Sequence, residues 1–215
     1  AVLSMIDAQS MAHAGADTAC PEPSIARLSA IGNTVYVVGV RSIFRYHWDD
    51  ASGRLVFDAG WQHHYLAGSR NSYGWDAVLD GDNAWFMDNG KHRYVTSMIG
   101  AGVSRTPNRL IRVSMRDAND HHAMDVCGRP GGSITNPPLV DLRRRIVVGY
   151  DSANRHLAAW RFGDAGTGAL EPLWHKNRFG CASHMLLYPE TGELLVNDYR
   201  HWGEECLARL NGMFA

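Results

Sequence analysis

Two hundred and fifteen residues allow one domain, or at most two small ones. A hydrophobic content of 45% supports a packed core, and 20% charged residues with a net charge of −1 exclude a disordered composition. Twenty-one basic against 22 acidic residues, with a pI near 6.9, leave no basic excess for nucleic acid, and no run of 18 apolar residues is present to form a membrane-spanning helix.

Taken in chain order, the sequence repeats one pattern: a short apolar strand, a polar turn, a second β-rich strand, then a third strand carrying Arg or aromatic residues. Val2–Ile6 and Asp7–Ser10 read as the third strand and turn of an earlier unit. The first full unit has strands Ser24–Ser29, Thr34–Val38 and Ser42–Tyr46, with Arg54–Phe57 as an outer strand after the turn Asp49–Gly53. The second has Trp75–Leu79, the turn Asp80–Asn83, Ala84–Met87 and Arg109–Val113, its last two strands joined by the long connection Lys91–Pro107. Pro138–Val140, Arg145–Val148, His156–Phe162 and the outer strand Leu170–Trp174 make the third. The fourth has His184–Leu187, the turn Pro189–Gly192, Leu194–Val196 and Cys206–Leu210.

Between second strands, Val35 to Ala84 is 49 residues, Ala84 to Ile146 is 62, and Ile146 to Leu194 is 48. A period of about 50 with Gly, Asn and Asp turns is that of a four-stranded propeller blade. A helical reading fails, because 22 Gly and 8 Pro leave no sustained 3.6-residue stripe. The expected fold is an all-β propeller in a single domain over 1–215, with a blade tail at 1–23 and blades at 24–72, 73–131, 132–180 and a truncated 181–215. About four blades are present, and both ends fall inside blades. The chain therefore reads as a fragment of a larger ring, or as a ring closed by pairing its two ends.

Leu3–Ser10 resembles the "LDAxTG" turn of pyrroloquinoline-quinone (PQQ)-type propeller repeats. Ala159–Phe162, Thr167–Leu170 and Leu173-Trp174 resemble the same unit with its closing Trp, and Asn136–Asp141 its leading strand. As a pattern the resemblance covers most of Val2–Leu210, and it is to bacterial proteins with a quinoprotein-dehydrogenase-like propeller domain. It implies a propeller fold. For members that oxidise alcohols it also implies a quinone, a vicinal Cys-Cys disulfide and a calcium site. Here Cys20, Cys127, Cys181 and Cys206 are dispersed and no Cys-Cys pair exists, so PQQ and dehydrogenase activity are not carried over, and a PQQ-dependent dehydrogenase stands as the disfavoured third reading. Free thiols and two disulfides are both compatible with that spacing, and the compartment stays open.

In propellers the residues that lead into the first strands build ligand sites. Here they are Trp75, Asp76, Asn136, and Ser183 with His184, and Trp202 after the last strand exit is a second aromatic candidate for stacking. A binding scaffold for a small molecule or protein partner needs no more than this set. A calcium-dependent lactonase- or esterase-like hydrolase would use Asp76, Asn136 and His184 as ligands to a hard cation. The same residues also serve as backbone hydrogen-bonding strand starts. Asp88, Asp151 and Asp198 recur at second-strand exits and read as Asx turns. Asp117–Asp125 and His63-His64 read as solvated turns, as does Arg143-Arg144-Arg145, which is too short for a nucleic-acid patch. Lys91, His92, Arg93, Arg105 and Arg109 form a basic loop cluster. No G-x-S-x-G or G-x-G-x-x-G is present.

Overall fold

The computed structural model describes residues 1–23, 25–39, 41–65, 77–88, 106–130, 137–151, 154–163, 170–177 and 185–196, and every regular element among them is a strand. β1 (Val2–Leu3) and β2 (Thr18–Ala19) form a small hairpin. Sheet I follows, with β3 (Ile25–Ile31), β4 (Thr34–Gly39), β5 (Ser42–Asp49) and β6 (Arg54–His64) side by side in chain order. Sheet II has β7 (Val78–Leu79), β8 (Asn83–Asp88), β9 (Pro107–Ser114) and β10 (His121–Pro130) in the same order. Sheet III repeats it with β11 (Leu139–Asp141), β12 (Ile146–Asp151), β13 (His156–Arg161) and β14 (Glu171–Asn177). β15 (Leu186–Leu187) and β16 (Leu194–Leu195) form a last hairpin. All neighbouring strands are antiparallel.

The sheets stack face to face, and alternation along each inner strand explains why. In β8, Ala84 and Phe86 pack with Tyr36, Val38, Ile43 and Trp61 of sheet I. Trp85 and Met87 point the other way and pack with Val147, Leu157 and Trp160 of sheet III. All six residues of β8 are buried, as expected for a strand covered on both faces. The outer faces of the stack close similarly. Val37, Phe44 and Tyr46 meet Leu3 of the first hairpin, and Val148 and Ala159 meet Leu187 and Leu194 of the last.

Turn chemistry sets the register. Asp80 accepts the backbone N–H groups of Asp82 (2.8 Å) and Asn83 (2.6 Å) and the Trp85 indole N–H (2.6 Å), while Gly81 takes φ +98°. Gly15 (φ +101°) lies against Gly53, where a Cβ would stand 1.7 Å from the Gly53 carbonyl oxygen. Only glycine permits the hairpin segment to reach sheet I there, through Ala16 N–H donating to Gly53 O at 3.0 Å.

Two stretches expected to be solvated turns are strand instead. His63 and His64 end β6, paired with Ile43 and Ser42, and His121 to Asp125 open β10, paired with Val113 to Arg109. The turn before β10 is shorter than the sequence suggested and closes with Ser114 N–H donating to Asp120 O at 2.8 Å. His63 is buried in the gap between sheets I and II, its ring 4.1 Å from that of His121. Packing between sheets outweighs the polar character of these residues, which had suggested turns.

Candidate functional site

Antiparallel pairing puts the start of each first strand, the exit of each second and the start of each third at the same end of its sheet. Ile25 lies opposite Gly39, Ser42 opposite His64, Asp88 opposite Arg109, and Asp151 opposite His156. Side chains fasten these ends of adjacent sheets together. The Arg109 guanidinium donates from Nη2 to Tyr65 O of sheet I at 2.7 Å, and Asn108 Nδ2 donates to Tyr150 O of sheet III at 3.5 Å. The described strand ends on either side of these connections therefore lie at one common upper end.

Buried carboxylates line this end and are held by protein donors. Asp88 is fully buried and accepts Arg109 Nη2 at 2.6 Å. Asp151, also fully buried, accepts the backbone N–H (3.0 Å) and the amide Nδ2 (2.8 Å) of Asn154, the Asx turn its position implied. The Cys127 thiol lies 3.4 Å from Asp151 Oδ2, and burial together with that neighbouring carboxylate pushes its pKa up. It is thus a poor nucleophile at neutral pH. Cys127 and Cys20 are both free thiols. Burial, with the charges of His121, His64 and Arg109, pushes the His63 imidazole down to about 4.

Trp75, Asp76, Asn136, His184 and Trp202 all lie outside the described residues, as do Asp198, Cys181, Cys206 and the basic loop residues Lys91, His92, Arg93 and Arg105. Arg109 of that cluster is described and is committed to Asp88. Ala77, immediately after Asp76, is buried, and its carbonyl accepts the Ser29 hydroxyl at 2.8 Å, which anchors the point where that connection enters sheet II. Among the described residues no group of three or more His, Cys, Asp and Glu gathers to hold a metal ion.

Sequence reasoning passed over Glu22, which stands just ahead of β3 much as Asp76 stands ahead of β7. It is 4% exposed, and its Oε2 accepts the Arg41 N–H at 3.0 Å. The signal was available in its position, but a lone Glu before Pro23 has no motif.

No family model and no curated protein sequence matches the chain. Among solved structures it is similar to luciferin-regenerating enzyme, with a TM-score of 0.54 at 12% identity. The match covers 93% of this chain and spans 62% of the length of that protein. The fold is of the propeller type. Sheets I to III are its blades, each four-stranded and antiparallel, with neighbouring strands in chain order. Among the described residues no helix is long and apolar enough to cross a membrane.

Proposed function

We propose that the chain is a ligand- or partner-binding propeller scaffold whose site lies at the upper end, where the connections into successive first strands open together. Trp75, Asp76, Asn136, His184 and Trp202 are its polar and aromatic contacts. The observation that carries this reading is the fastening of the three upper ends by Arg109 and Asn108, which gives those connections a rigid common base. PQQ-type repeats remain our description of the blades on the strength of the turn and Trp patterns, without the cofactor.

A second reading is metal-assisted hydrolysis of a lactone or ester; the similar structure is itself named an enzyme. Calcium would need Asp76, Asn136 and His184 as ligands, because Asp88 and Asp151 are already engaged by Arg109 and Asn154. The described residues supply no cation cage of their own.

Thermal-shift and calorimetric titrations with calcium chloride, δ-valerolactone, 4-nitrophenyl acetate and PQQ separate the readings. The scaffold reading expects a ligand among these that binds without turnover and is weakened at least about tenfold in Asp76→Ala and His184→Ala. Calcium-dependent hydrolysis lost in Asp76→Asn would transfer the assignment to the hydrolase. Binding indifferent to both Ala variants, or no binding at all, would overturn the site.

A further inference from the structure

On the flank of sheet I that faces the first hairpin, the upper end holds an open pocket of about 380 Å³. Alternation brings Ser42 and Phe44 of β5 to this face, with Gln62 and His64 of β6 opposite them in register. Glu22 and Arg41 complete the wall.

Glu22 is seated there by the backbone. A Cβ at Gly39 would stand 2.6 Å from Glu22 Oε2 and 3.1 Å from Ser42 O, so the absence of a side chain makes the space for the carboxylate. Oε2 takes the Arg41 N–H, while Oε1 receives no hydrogen bond from a described residue and stays open to the pocket.

The opposite charge lies in the same cavity. The Arg41 guanidinium makes no hydrogen bond or ion pair with a described residue, and it does not close onto Glu22. His64 is fixed by a 2.6 Å hydrogen bond between its Nδ1 and Ser42 Oγ, which leaves Nε2 without a described partner, and the Gln62 amide is likewise uncommitted. The pocket thus holds a carboxylate with one oxygen open to it and a guanidinium that no described acceptor engages, the two not paired with each other.

We propose that this cavity binds a small zwitterion, its ammonium on Glu22 and its carboxylate on Arg41, with Gln62 and His64 hydrogen-bonding between. A simple anion would meet the Glu22 charge and a simple cation the Arg41 charge; a molecule bearing both, at matched separation, satisfies each. The residues differ from those of the upper-end ligand site, so this assignment stands or falls separately from it.

The test is isothermal calorimetry of the 215-residue protein at low ionic strength with glycine, 4-aminobutyrate and 6-aminohexanoate, using butyrate and butylamine as single-charge controls. The expected result is binding of at least one zwitterion, with both controls weaker by about tenfold or more. Arg41→Gln keeps the backbone N–H that seats Glu22 and is expected to lower affinity by a similar factor. Because Glu22→Gln alters a buried turn, Arg41→Gln is the deciding variant. Failure of all three zwitterions to bind, equal binding of a control, or unchanged affinity in Arg41→Gln would overturn the proposal.

Discussion

His63 shows how a polar residue is recruited into a gap between blades. Its ring is buried against His121, with His64 and Arg109 near, and it titrates at about 4 rather than 6.5. The unfolded chain therefore binds the proton more readily than the folded one. The stabilisation is complete above pH 6.5, is lost progressively as the pH falls to about 4, and changes no further below that. Its size is on the order of 2 kcal/mol, allowing for water at the ring edge. Urea unfolding at pH 7.5 and 4.5 checks this: His63→Gln is expected to lose less stability between the two than the parent, by about that amount. An equal loss in both would detach His63 from the acid response.

At the scale of elements, the decisive contacts lie between sheets. Trp85 is fully buried, packs 4.9 Å from the Phe162 ring and donates to Asp80. Trp85→Ala removes packing from the junction of blades II and III and leaves Asp80 one donor short. About 3–5 kcal/mol of destabilisation is expected in chemical denaturation; a loss under 1 kcal/mol would mean that the junction is not cooperative with the blades. The turns at Asp80-Gly81 and Asp141–Arg144 were legible in the sequence, because Asx and glycine chemistry is local. The full lengths of β6 and β10 were not. Their His pairs look like turn residues until a neighbouring sheet covers one face of each strand. The place of Glu22 ahead of β3 was visible, but its role was not, for a related reason: its seat depends on Gly39, 17 residues away and joined to it only by folding. Trp75, Asp76, Asn136 and His184 were picked from their place ahead of first strands, and pairing puts those strand starts at a shared end for the described blades.

At the scale of the molecule, stability is graded along the stack. Blades I to III are each four strands, whereas among the described residues the first and last hairpins pair through two residues per strand. Short hairpins hold few internal hydrogen bonds, so their amides open at lower cost than those of a doubly covered strand. Hydrogen–deuterium exchange is expected to show the strongest protection in β8, β9 and β12, and the weakest in β1, β2, β15 and β16. Uniform protection would indicate that the stack opens only as a whole.

The double burial of β8 changes what its alternation specifies. In a sheet with one wet face, slipping a strand by one residue exposes its apolar set, and the penalty fixes the pairing. Here a slip would hand Trp85 and Met87 to one dry neighbour and Ala84 and Phe86 to the other, with no apolar surface exposed. Polarity cannot discriminate between the two alignments. Shape and the ends must do so: the bulk of Trp85 fits only the space beside Phe162, and the acid at Asp88 meets Arg109 in one alignment alone. The most generic-looking strand in the molecule is thus held in place by the acid at one end and its single largest ring.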